Sequence, residues 1–265
     1  MNRPFVIWTL RRTGGSTLVS LLRERVGAHR LLAEPFNPNR EFSELTTSFK
    51  ATQDKAALLS GIRAALDGSV SLKQCIDVLP FDVHDALLQV TRDLGYRSLV
   101  LDRRDDSARV LSLLLAQQTK AWGRASARDI YPDIASGARA LKPFNLRRLE
   151  TLLHRGRARR EGLCRLFSAA GLAPPVVFYE DLYDCRGGSP TDAAGPALAL
   201  RLLRHLGAAS DEGDALDGWL HERLGGSAQH SQTLYAQVPN IAEARRALSA
   251  APHWRNPFLD LPTLS

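Results

Sequence analysis

Residues 5–10, FVIWTL, form a continuous apolar run with β-branched and aromatic members, the pattern of a buried strand. A turn rich in Gly and hydroxyl residues follows, RRTGGSTL (11–18). The chain then switches to helical spacing in STLVSLLRERV (16–26), with Leu18, Leu21, Leu22 and Val26 on one face. A buried strand handed straight to an amphipathic helix is half of a βαβ unit, and the pattern recurs. SVSLKQCIDVLP (69–80), YRSLVLD (96–102) and PPVVFYEDL (174–182) read as further strands, with a short extended piece at RLLAEPF (30–36). Helices are expected at 52–66, 82–95, 106–122, 145–171 and 195–206, with a loop and helix at 235–248. Such alternation predicts an α/β fold, a central parallel sheet flanked by helices. It is read as a single domain over 1–265, with CRGGSPTDAAGP (185–196) as a flexible surface loop. In such sheets ligands bind at the carboxyl ends of the strands, so the residues just past each strand are the functional candidates.

The charge balance is +7 and asymmetric in kind. Of 35 basic residues five are Lys, leaving thirty Arg, the residue that grips phosphate and sulfate bidentately. A genome that favours Arg and Ala codons is the plainer reading for most of them. RRLETLLHRGRARR (147–160) reads as a solvated helix face, and it lacks the interleaved aromatics that stack on nucleic-acid bases, so no nucleic-acid partner is expected. No run approaches the length of a membrane span, and no secretory signal is visible. The three cysteines, Cys75, Cys164 and Cys185, are odd in number and far apart. They predict reduced thiols in a cytoplasmic protein and no metal site.

The turn after the first strand suits an anion. Gly14 and Gly15 let backbone amides approach a phosphate, the next helix adds its unpaired N–H groups, Ser16 and Thr17 add hydroxyls, and Arg11 and Arg12 add cations. It is not a Walker A loop, because no Lys-Ser/Thr closes it and its cations precede the glycines. An ordinary capped turn is the plainer alternative. After the fourth strand, RRDDSARVLS places Arg103 and Arg104 at the strand end and Ser112 eight positions beyond Arg104. A bond from Ser112 back to its own helix is the plainer reading there.

Together these two segments resemble the sulfotransferases that use 3′-phosphoadenosine 5′-phosphosulfate (PAPS). RRTGGSTL resembles their 5′-phosphosulfate loop and RRDDSARVLS their 3′-phosphate motif. YEDL (179–182) looks like the bacterial, carbohydrate and tyrosylprotein branches, and VLDRRDDSARVLSLLLAQQTKAW is similar to bacterial members acting on trehalose or nodulation factors. The resemblance spans most of 5–182. Beyond it, 226–265 is expected to supply a loop and helix closing over the nucleotide, where QVPNIAEA matches weakly. It implies a nucleotide-kinase-like (P-loop-like) three-layer sandwich and metal-independent transfer of a sulfuryl group from PAPS to a hydroxyl or amine. Arg11, Arg12, Thr13, Gly14, Gly15, Ser16, Thr17, Arg104 and Ser112 would bind the nucleotide, with Arg12 stabilising the leaving phosphate. Either Gly15 replaces a hydroxyl residue of the family pattern or one Gly is inserted, so either Ser16 or Thr17 meets the 5′-phosphate.

The acceptor needs a base. AEPFNP (33–38) resembles the family's Glu-containing segment, which makes Glu34 the candidate, with His29 and Asp77 as alternatives. LKQCIDVLP (72–80) resembles the segment that carries a helper Lys, so Lys73 is expected to assist the leaving group and Asp77 to bind the acceptor. Trp8, Trp122 and Tyr179 are expected to pack in the core, with stacking on adenine or a sugar as the alternative. The acceptor is expected to be a sugar or small molecule, with a phenol or peptide tyrosine close behind. A kinase-like nucleotide enzyme and a basic anion- or nucleic-acid-binding protein are the competing classes.

Overall fold

The computed structural model describes residues 3–25, 30–67, 69–183, 194–208, 220 and 231–264. Five strands, β1 (Phe5–Thr9), β2 (Arg30–Ala33), β3 (Val70–Cys75), β4 (Arg97–Asp102) and β5 (Val176–Phe178), form one parallel sheet in the order β2-β3-β1-β4-β5. β1 lies at the centre with all five residues buried, as its unbroken apolar run predicts.

The period-two alternation of β1 sorts its side chains to two cores. Val6 and Trp8 face α3 (Lys55–Leu66), α4 (Phe81–Asp93) and α7 (Leu146–Ala169). Phe5 and Ile7 face α1 (Gly15–Arg23) and α9 (Ala194–Leu206). The result is the expected three-layer sandwich. A third core joins α5 (Asp106–Thr119), α6 (Arg124–Ala135) and α7 to the turn after α10 (Ser231–Leu234) and to α11 (Ile241–Ser249). No helix among the described residues is long and apolar enough to cross a membrane.

Several boundaries differ from the sequence reading, each for a local reason. The strand expected over 69–80 stops at Cys75, where the chain turns and Asp77 reaches back to Arg11. The strand expected over 174–182 keeps only three residues. YEDL instead belongs to α8 (Tyr179–Tyr183), whose Glu180 accepts the backbone N–H groups of Arg104 and Asp105. The helix expected over 52–66 begins at Lys55, capped by Asp54, and a separate polar helix, α2 (Ser43–Thr52), precedes it. Polar composition hid α2, and Pro132 hid α6. Of the loop expected over 185–196, residues 185–193 lie outside the described residues.

The Arg-rich face of α7 is not wholly solvated. Arg160 has no exposed surface and makes paired bonds to Asp102 at 2.8 and 3.0 Å and a third to Asp106 at 3.0 Å. Arg109 also bonds Asp106, at 2.7 Å, and Asn256 donates to Asp102 at 2.6 Å. Burial lowers the Arg160 pKa, but the two carboxylates outweigh it and hold the group above its ordinary value. The close approach of Arg109 is possible because Gly156 has no side chain where the guanidinium lies. The network ties β4, α5, α7 and the C-terminal segment together. Replacing Arg160 by Met leaves Asp102 buried without its partner and is expected to cost about 3–5 kcal/mol in urea unfolding. A loss below about 1 kcal/mol would show that the network is not a structural anchor.

Candidate functional site

The site grows from the turn after β1. Thr13 is wholly buried, donates to the Leu10 carbonyl at 2.9 Å and bonds the Thr9 hydroxyl. Its role is to hold the turn closed. Arg12 and Gly14 both take left-handed backbone, at φ 70 and 87. At Gly14 a Cβ would strike the Tyr183 ring, whose hydroxyl donates to the Gly14 carbonyl at 3.1 Å. Gly15 opens α1, and a Cβ there would crowd Lys73 at 3.1 Å. The two glycines therefore have separate jobs, one for backbone hand and one for close packing. The N–H groups of the first helical turn have no intrahelical acceptor and carry the positive end of the helix.

Two neighbouring strand ends and α5 meet this turn. Lys73 is a buried cation on β3 and forms an ion pair with Glu34, which directly follows β2. Glu34 also has left-handed backbone (φ 57), and its N–H bonds the Lys73 carbonyl at 2.7 Å. Its carboxylate is held on both sides. Oε1 accepts from Lys73 and from the Cys75 thiol at 3.2 Å, and Oε2 accepts from Asn37 at 2.5 Å. Asn37 is oriented in turn by Gln74, at 2.9 Å. Arg11 gives both its backbone N–H and its Nε to Asp77, at 3.2 and 2.9 Å. Arg12 donates from Nε to the Ser112 hydroxyl at 2.8 Å.

Charge states follow from these contacts. Burial pushes the Glu34 pKa up, but attraction and hydrogen bonding to Lys73, with the Cys75 bond, outweigh it and hold the carboxyl below its ordinary value. Burial pushes Lys73 down, but the attraction and hydrogen bond of Glu34, with the charge of Asp77, hold it above its ordinary value. Burial raises the Cys75 thiol well above its ordinary value, so it is a neutral donor. Burial lowers the Arg12 pKa, offset in part by the phenols of Tyr131 and Tyr235.

A cavity of about 330 Å³ opens on this cluster, and Arg11, Arg12, Gly15, Ser16, Glu34 and Lys73 all line it. Six of the predicted residues thus meet in one place. Ser16 is exposed on the cavity wall, whereas Thr17 is half-buried and outside it. Thr13, Gly14 and Asp77 support the wall from behind.

The predicted Arg104–Ser112 clamp is divided. Ser112 engages Arg12 and not its own helix. Arg104 lies outside the cavity, half-exposed, and makes a bidentate pair with Asp181 at 2.5 and 2.7 Å. His29 lies outside the described residues.

Asn37, Arg40 and Cys75 also belong to the cavity and were not singled out by sequence, and Trp122, expected in the core with ligand stacking as the alternative, lines it too. Cys75 was within reach of a sequence argument, because period-two spacing puts it on the face of Lys73. Of the aromatics, Trp8 packs in the core as expected, whereas Tyr179 is half-buried, with the Arg103 guanidinium over its ring and the Tyr183 ring tilted against it. Trp122 departs from expectation. It is 42% exposed at the cavity because the buried Ala121 before it takes the core position. Among the described residues no group of His, Cys, Asp or Glu side chains gathers as a metal site.

No protein-family model matches the chain, and a search of curated proteins finds no match.

The Glu34–Lys73 pair sets a pH dependence. A depressed carboxyl contributes stability above its ordinary value of 4.5, and that stability is lost as pH falls through the folded value. In Lys73→Met burial and repulsion from Asp77 remain to raise the Glu34 pKa against the Cys75 and Asn37 bonds, and burial is the largest effect. Carbon-13 NMR of the Glu34 carboxyl is expected to show titration below 4.5 in the wild type and above 4.5 in Lys73→Met. An unchanged midpoint would refute the pairing.

Proposed function

We propose that the chain is a PAPS-dependent sulfotransferase. What supports this most is the convergence of the Arg12 turn, the α1 N-terminus and the Lys73–Glu34 pair on one cavity at the strand ends. The 2-3-1-4-5 parallel sheet suits the nucleotide-kinase-like fold that the sequence resemblance implies. A cavity of about 330 Å³ is at the small end of ligand sites, sized for the transferred group and part of an acceptor.

In this reading the 5′-phosphosulfate lies on the first turn of α1, with Ser16 as its hydroxyl contact. The bond between sulfur and the bridging phosphate oxygen breaks, and its electron pair stays on the phosphate. Arg12 and the helix N–H groups hold the charge that develops there. A new bond forms between sulfur and the acceptor oxygen, whose proton passes to Glu34. The resting carboxylate is a weakened base because Lys73 holds it. An anionic donor competes for the Lys73 ammonium, which leaves Oε1 of Glu34 with the Cys75 thiol alone and raises its proton affinity. Asp77, already engaged by Arg11, is better placed to orient that arginine than to act as the base. Arg104 and the C-terminal segment would reach the remainder of the nucleotide. The acceptor is a hydroxyl compound, with sugar or small molecule favoured over peptide tyrosine. Cys75 and Cys164 are free thiols, which supports a reducing, cytoplasmic setting.

Thermal shift separates the candidate activities. 3′,5′-Bisphosphoadenosine is expected to raise the melting point, while ATP with magnesium and duplex DNA are not. A shift with ATP–magnesium alone would instead indicate a kinase-like enzyme, and one with DNA that vanishes in salt an anion binder. Labelled-sulfate transfer should then fall by about 10²-fold or more in Glu34→Gln with bisphosphoadenosine binding retained. Normal turnover in that variant would remove Glu34 as the base.

A further inference from the structure

The cavity holds more positive charge than the transfer chemistry uses. Arg11, Arg12, Arg40 and Lys73 line it against one carboxylate, Glu34. Lys73 is matched by Glu34 and Arg11 by Asp77. Arg12 belongs to the turn that would hold the donor. Arg40 is left over. It is exposed, and no carboxylate pairs with it among the described residues.

The loop that carries Arg40 is braced. Phe36 has no exposed surface and packs on Phe42, with ring centroids 5.5 Å apart. The Phe42 N–H bonds the Pro35 carbonyl at 2.8 Å, and Thr46 donates to the Phe36 carbonyl at 3.0 Å. Asn39, in left-handed backbone at φ 61, turns the chain immediately before Arg40, whose own N–H bonds the Asn37 carbonyl at 3.2 Å. The guanidinium therefore stands on a fixed base at the cavity, which lowers the ordering cost of using it.

A second loop brings an aromatic face. Lys120 ends α5 in left-handed backbone (φ 65), and Ala121 is anchored by its N–H to the Thr119 hydroxyl at 3.2 Å. Trp122 is thereby projected outward. Only Trp122 and Leu259 are exposed large hydrophobic side chains among the described residues, and Trp122 is the one at the cavity. A part-exposed indole beside a polar cavity suits a flat or ring-shaped ligand.

We propose that the acceptor is a ring hydroxyl compound that also carries a carboxylate, with the ring against Trp122 and the carboxylate on Arg40. The inference rests on the sulfuryl-transfer reading above. Guanidinium and carboxylate match as planar forks, and the charge-assisted pair selects against neutral analogues. Phenolic acids and sugar acids share this chemistry.

Isothermal titration of the protein saturated with 3′,5′-bisphosphoadenosine tests it with two matched pairs. These are 4-hydroxyphenylacetate against 4-hydroxyphenylacetamide, and glucuronate against glucuronamide. At least one carboxylate is expected to bind about fivefold tighter than its amide, the scale of one partly exposed charged contact. Arg40→Gln is expected to erase that difference, and Trp122→Ala to weaken both members of the pair alike. The pair that shows the preference identifies the source of the acid. Equal binding within both pairs, no binding of any member, or a preference that survives Arg40→Gln overturns the acceptor assignment and leaves sulfuryl transfer standing. If bisphosphoadenosine itself does not bind, the transfer reading falls and this inference falls with it.

Discussion

Arg160, a guanidinium with no exposed surface, holds the carboxyl end of β4 in place, and the geometry of the site follows from it. Its bonds to Asp102 and Asp106 fix the end of that strand to the start of α5. α5 carries Ser112, and Ser112 receives the Nε of Arg12. Arg12 sits in left-handed backbone within the turn that presents the N-terminus of α1. A buried ion pair in one layer is thus connected, by three covalent or hydrogen-bonded steps, to the cation at the cavity. The arrangement explains why an Arg-rich helix contributes to the site without touching it.

Two of the cavity's cations, Lys73 and Arg11, are held in matched couples. A buried ammonium on a sheet strand is costly unless an anion lies beside it, and Glu34 supplies that anion from the neighbouring strand end. Left-handed backbone at Glu34 is the geometric condition for this meeting. The same contact lowers the basicity of Glu34. Arg11, on the cavity wall, and Asp77 behind it form a second couple. Asn37, Gln74 and Cys75 hold the carboxylate at a defined angle, with an aliphatic surface from Leu10 and Val78 completing the cavity.

Much of this was legible in the chain. The apolar run of β1, the double glycine and the helical spacing behind it specify a strand–turn–helix unit whatever surrounds it. Arg11, Arg12, Ser16, Glu34 and Lys73 stand just past or within strands, and the parallel sheet brings such ends to one edge. What misled the reading was competition from side chains. Asp77 ended β3 early by reaching Arg11, and Glu180 converted the end of a strand into a helical turn by capping the β4–α5 loop. The Arg104–Ser112 spacing was visible, but spacing along a chain carries no information about partners. Asp181 claimed Arg104, and Arg12 claimed Ser112.

The sequence by itself determined the layer architecture, the central strand and the position of the anion-suited turn, because these rest on local periodicity and on conformations open only to particular residues. Tertiary structure alone decided which charges cancel and which remain. Ion pairing depends on distances between residues 39 and 66 positions apart, as for Lys73 with Glu34 and Arg11 with Asp77. It also decided the two glycines. Tyr183, far along the chain, excludes a side chain at Gly14, and Lys73 crowds Gly15. With that, Ser16 faces the cavity and Thr17 turns aside.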